Sequence, residues 1–199
     1  SAGAWRRAAA YLRLGIQHIV QGVDHLLFVL GLLLIVQSTG MLLKTITSFT
    51  VAHSITLALA TLGYATVPAL PLNAVIALSI LFLGPEILRA QRGESSMTTR
   101  HPWTVAFAFG LLHGFGYATG LTEMGLPPAE IPLALFTFNV GVEIGQLAFV
   151  GLVLLLARAF MTLEIRWPKW ALAVPAYVVG TLGAFWTIDR TLALLGAIL

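Results

Sequence analysis

GIQHIVQGVDHLLFVLGLLLIV, residues 15–36, has the apolar content of a membrane-spanning helix, yet it carries His18, Asp24 and His25, with Gln21 between the imidazoles. A hydrocarbon layer about 30 Å thick takes a helix of roughly 20 apolar residues, and this stretch has that length. The rest of the chain agrees with it. Of 199 residues, 58% are hydrophobic and only 10% are charged, and mean hydropathy is +0.92. Soluble domains carry roughly a quarter charged residues, so too little polar surface exists here for a water-exposed shell. The fold class expected is all-α, a polytopic integral membrane bundle of about six transmembrane helices forming a single transmembrane domain over 1–199.

Cysteine is absent, which excludes disulfides, thiolate metal sites and cysteine nucleophiles. The net charge of +3 comes from basic residues scattered between hydrophobic runs. No dense basic stripe marks a nucleic-acid partner, so loop charge in a lipid bilayer accounts for it. The opening SAGAWRRAAAYLR has neither an initiating Met nor a recognisable signal peptide and reads as a processed start.

Apolar runs between charged or Pro/Gly-rich breaks place six helices, at 10–37, 44–63, 70–91, 103–122, 132–160 and 169–196. The first, third and fifth loops hold Lys44, Arg89, Arg92, Arg100, Arg158, Arg166 and Lys169. Arg6, Arg7, Arg13 and Arg190 fall at the two ends on the opposite side. The positive-inside rule then puts both termini outside the cytoplasm. FTVAHSITLA in the second run and FTFNVGVEIG in the fifth share a Phe-Thr start. Three helices per half would give inverted repeats, an architecture of transporters. Trp5, Trp103, Trp167 and Trp170 read as interfacial anchors.

Four of the five histidines, His18, His25, His53 and His113, lie within these runs, as do Asp24, Glu86 and Glu143. An ionisable residue at the bilayer centre costs about 2.5–3.5 kcal/mol on insertion scales, so such groups face partners or a pathway. A lone intramembrane histidine is often only an interhelical hydrogen-bonding group, but seven ionisable residues exceed what packing requires. His18 and His25 share one face of a continuous helix with Gln21 and Gly22, their α-carbons about 10 Å apart in height. Distortion at Gly22 would bring them closer, and Asp24 could orient an imidazole. Asn139, Glu143 and Gln146 form an i, i+4, i+7 polar stripe expected to face inward, each amide a supporting hydrogen-bonding group. His53 has Thr50 and Ser54 nearby, His113 is flanked by Gly110, Gly114, Gly116 and Gly120, and Glu86 follows Pro85.

Neutral imidazole and carboxylate without thiolate suit Ni²⁺, Co²⁺, Zn²⁺ or Mn²⁺, and the donors alone do not name the ion. A transported ion must also leave, which favours modest affinity and no tightly bound cofactor. A dication moving into an interior at −100 mV gains about 4.6 kcal/mol, enough for a roughly 2,000-fold gradient. Two other chemistries use similar donors. An intramembrane zinc-dependent hydrolase would employ the same His/Asp/Glu cluster around an activated water. A haem protein would take paired axial histidines but has no need of the acids.

GIQHIVQGVDHLLFVL, FTVAHSITLA, the Glu86 run, FGLLHGFGYA and FNVGVEIGQ, in that order, closely resemble the HupE/UreJ family of nickel and cobalt permeases, over about residues 12–150. The resemblance implies secondary uptake of Ni²⁺, or of Co²⁺, across a bacterial inner membrane, often in support of hydrogenase or urease maturation. Its first-helix His, Asp and His correspond to His18, Asp24 and His25, its third-helix acid to Glu86, and its fourth-helix His to His113. With His53 and Glu143 added from the ionisable residues within the runs, the metal set expected is His18, Asp24, His25, His53, Glu86, His113 and Glu143, supported by Gln21, Asn139 and Gln146. The partners expected are the divalent ion and the bilayer, with a homo-oligomer left open.

Overall fold

A computed structural model describes residues 2–117, 128–162 and 168–197. Gly120, Arg166 and Trp167 lie outside the described residues. The described chain is helical and contains no strand: α1 (Ala2–Gln21), α2 (Val23–Ile35), α3 (Thr39–Thr61), α4 (Ala69–Gln91), the single turn α5 (Met97–Arg100), α6 (Pro102–Gly116), α7 (Ile131–Met161) and α8 (Val174–Gly196).

Local chemistry sets the boundaries. Ser38 starts α3 by accepting a hydrogen bond from the Met41 N–H, and Pro102, Pro132 and Pro175 stand in the first turns of α6, α7 and α8, where no N–H is needed. α3 and α4 end alike. Gly63 and Gly93 adopt φ of 79° and 73°. Tyr64 and Glu94 then donate back to Leu59 and Arg89, closing two Schellman turns.

α3, α4, α7 and α8 with its preceding turn are long and apolar enough to span a membrane, and α1 with α2 passes only as one broken span bent by 74°. The expected continuous helix over 10–37 is thus corrected to two helices meeting at Gly22. α6 has 15 residues, shorter than the expected 103–122 span. The described residues therefore give four spans, or five with the broken one, and not the expected six; α6 is too short to qualify.

The helices associate chiefly as three tight pairs. α1 runs parallel to α7: Arg7 meets Glu130 just before α7, Gly15 lies on the Phe138 carbonyl, and Gly145 packs on Ile19. α3 runs parallel to α6, with Ser48 bonded to the Trp103 carbonyl, Gly110 on the Phe49 carbonyl, and Gly114 against His53 and Thr56. α4 and α8 are antiparallel. Gly84 meets Gly180, and Gly183 closes on the Leu81 backbone, whose carbonyl lost its i+4 donor to Pro85. Without a hydrophobic force between helices in lipid, such close backbone approach supplies the attraction.

The first two pairs have one geometry with opposite chain direction. Gly15 on Phe138 matches Gly110 on Phe49, so α1 corresponds to α6, α7 to α3, and His18 takes the position of His113. The antiparallel α4/α8 pair maps onto itself. This inverted relation has the form anticipated for three helices per half, although its register sets Phe138, not Phe136, opposite Phe49.

These contacts predict the cost of filling them. Gly15→Leu or Gly110→Leu should lower the thermal midpoint of the detergent-purified protein by an amount equivalent to about 1–3 kcal/mol. Gly151→Leu, where nothing lies within 4 Å, should leave it unchanged.

Candidate metal centre

The break at Gly22 builds the centre. There the backbone turns at φ −81°, ψ 87°, and a side chain is excluded because its Cβ would lie 2.8 Å from both the His18 carbonyl and His25 Nδ1. Folding α2 away from α1 brings the His18 and His25 rings to 4.6 Å between centroids. His53, from the middle of α3, stands 5.9 Å from His18 and 6.1 Å from His25. One ring nitrogen from each of His18, His25 and His53 lies within 4.8 Å of the others. His113 of α6 packs on the far side of His25 at 4.8 Å. His25, His53 and His113 are all buried.

Hydrogen bonds fix which nitrogen each ring leaves bare. Asn139 donates its amide N–H to the Leu135 carbonyl at 2.8 Å, so the oxygen it turns to His53 accepts the Nδ1–H at 3.2 Å. The Asp24 carboxylate accepts the Nδ1–H of His25 at 3.2 Å and its backbone N–H at 3.0 Å. Ser79 donates its only hydroxyl proton to the Ile76 carbonyl at 2.6 Å and so accepts from His113 Nε2 at 3.2 Å. What remains is a lone pair on Nε2 of His25, Nε2 of His53 and Nδ1 of His113. Those three atoms and His18 Nε2 are buried without a hydrogen-bond partner. A buried imidazole nitrogen facing no donor forgoes about 1–3 kcal/mol of solvation, and an ion accepting its lone pair would restore that.

The other candidates are placed differently. Asp24 orients His25 and opens the first turn of α2, where a helix favours negative charge. Gln146 is buried and accepts from Thr50 at 3.0 Å, whereas Gln21 is exposed beside His18. Glu86 is buried but pairs with Arg89 at 2.7 Å, two turns along α4 from Ser79 and apart from the imidazoles. Glu143 accepts from Thr47 at 2.7 Å and lines an open groove between α3 and α7 with Thr47, Ser54 and Asn139. The inward stripe on α7 is therefore corrected at one position. At 100° per residue Asn139 and Gln146 point to the core and Glu143 falls at the stripe's edge.

Ser79 and Tyr117 escaped the sequence reading. Tyr117 lies 4.2 Å from the His18 ring and stacks on Phe138 at 4.9 Å, forming one wall of a cavity at His18. Its position one turn after His113 was a usable signal; Ser79, a hydroxyl on an apolar helix, gave none.

Nitrogen-15 NMR of histidine-labelled protein should report Nδ1–H tautomers for His25 and His53 and the Nε2–H tautomer for His113. Asn139→Leu should release the tautomer of His53 alone.

No curated protein and no solved structure matches the chain. A family model described as HupE / UreJ protein matches residues 1–190, which include all four clustered imidazoles, and the chain belongs to the HupE/UreJ family.

Proposed function

We propose that the protein is a secondary uptake permease for divalent transition-metal ions, foremost Ni²⁺ and also Co²⁺, in a bacterial inner membrane with both termini outside the cytoplasm. HupE/UreJ proteins are associated with nickel and cobalt uptake. The observation that carries the reading is the convergence of His18, His25 and His53 with bare nitrogens, those of His25 and His53 oriented by Asp24 and Asn139, in the interior of a helical membrane bundle.

In this reading the ion enters at His18, sheds part of its water shell and is held by the Nε2 atoms of His25 and His53. Asp24 and Asn139 act through those rings, holding each in the ligating tautomer, and the Asp24 charge offsets part of the cation's own. All-nitrogen donors disfavour Mg²⁺ and Ca²⁺, which prefer oxygen. The ligating atoms span up to 4.8 Å, wider than the roughly 4.2 Å across which two imidazoles 2.1 Å from one ion can stand, so the rings must draw in to share it. Such a site binds modestly and releases. His113, with its lone pair beside His25, receives the ion on its way inward, and the equivalence of His18 and His113 gives the two aqueous sides matching approaches. The membrane potential suffices to drive a dication inward. Neither Glu86, neutralised by Arg89, nor Glu143 in the lateral groove holds the ion in this scheme.

Cells expressing the chain should accumulate radioactive nickel above an empty-vector control, and His25→Ala or His53→Ala should reduce that to background. Asp24→Ala should weaken Ni²⁺ binding by purified protein about 10–100-fold, read by calorimetry. Wild-type accumulation equal to the control at every pH would overturn the reading.

A further inference from the structure

The outer face of α1 is unlike the lipid-facing side of a span. Arg6, Ala10, Arg13 and Gln17 follow i, i+4, i+7, i+11 spacing and so form one stripe about 16 Å long. Arg6, Ala9, Ala10, Arg13, Leu14 and Gln17 line a groove of about 550 Å³. Leu14 and Gln17 also border a second cavity of about 270 Å³ that reaches His18 and is bounded by Gln21, Gly22 and Tyr117. The two adjoin at Leu14 and Gln17, one lying towards the start of α1 and the other at the first imidazole of the centre.

The charge of this path is the reverse of what a bare dication requires. Arg6 and Arg13 are exposed, and among the described residues no carboxylate pairs with either. The neighbouring Arg7 does have a partner, Glu130 at 3.4 Å. No acidic side chain is among the described residues that line the groove. Two arginines facing a path repel a hydrated cation and attract carboxylates, which their planar forks bind in bidentate fashion. A phosphate at the membrane surface would be served by the arginines at the helix end. It has no use for Arg13 and Gln17 two turns and more further along α1, beside the cavity at an imidazole.

We propose that this groove recognises the metal as an anionic polycarboxylate complex, Arg6 and Arg13 binding the chelator's carboxylates while the ion is presented to His18. The inference rests on the uptake reading and adds the form in which the substrate arrives. Transfer is ligand exchange without redox change. A metal–oxygen bond to the chelator breaks as each metal–nitrogen bond forms, first to His18, then to His25 and His53. The chelator departs outward with the negative charge it had before it bound the metal. Gln17, between Arg13 and His18, offers the amide N–H that holds a carboxylate oxygen as it leaves the ion.

The test uses the full chain in phosphatidylcholine vesicles, with radioactive nickel supplied either as the aqua ion or as its one-to-one citrate complex, the citrate carbon-labelled. The expected result is uptake about fivefold or more faster from the citrate complex, with citrate retained outside. In the Arg6→Gln/Arg13→Gln variant the ratio of the two rates should fall to about one. The wild-type comparison needs no variant, so a folding defect in the double substitution leaves the test intact. Equal or faster uptake from the aqua ion by the wild type, or entry of citrate with the metal, would overturn the proposal. An unchanged ratio in the variant, or a citrate preference that appears only when anionic lipid is added, would do so as well. Failure of the uptake reading itself looks different: no His25-dependent nickel entry from either form.

Discussion

The architecture depends on one broken helix. A straight helix through residues 15–36 would hold His18 and His25 about 10 Å apart along its axis, too far for a common ion. Gly22 ends α1, turns the chain by 74° and starts α2, and the same turn places Asp24 where its carboxylate reaches both the Nδ1–H and the backbone N–H of His25. The bend is stabilised on both sides. The Gly22 N–H still bonds the His18 carbonyl and the Leu26 N–H bonds that of Gly22, so few backbone groups are stranded in lipid. α2 is then held by Phe28, Leu32 and Ile35 packing against Ile80, Leu83 and Ile87 of α4.

Around that break, close helix contacts and polar partners work together. Gly114 lets α6 lie against α3 at His53, so His53 and His113 are positioned by the same contact. Each of three imidazoles then meets a different acceptor, a carboxylate, an amide oxygen or a hydroxyl, and each acceptor is on α2, α7 or α4. A shift of α7 against α3, or of α4 against α6, would alter a tautomer as well as a distance. That coupling between packing and proton position is what a transport site requires, since a modest relative movement of the halves changes how many lone pairs face the ion.

Much of this was legible in the sequence for definable reasons. Composition declares a membrane bundle, and α4 and α7 begin and end close to where apolar runs, prolines and glycines place them, whereas α3 starts at Thr39, five residues before the expected 44, and takes Lys44 out of the first loop. The imidazoles were visible because ionisable groups are conspicuous in hydrocarbon, and Gly22 because it stands between two of them. The size of the bend was not legible, since it depends on what α2 packs against. Nor were the partners. Glu86 and Glu143 resemble Asp24 as isolated letters, and only the fold reveals that Arg89 takes one, Thr47 the other, and His25 the third. Ser79 matters through its Oγ facing His113 across 34 residues of sequence, a relation that no local pattern encodes.

α6 carries a consequence for depth. Its 15 residues extend about 23 Å, several ångströms less than a typical hydrocarbon layer. With Pro102 at one headgroup boundary, Tyr117 and the His18 ring 4.2 Å from it would stand short of the other, within the apolar layer, so an ion that reaches His18 has already left bulk water.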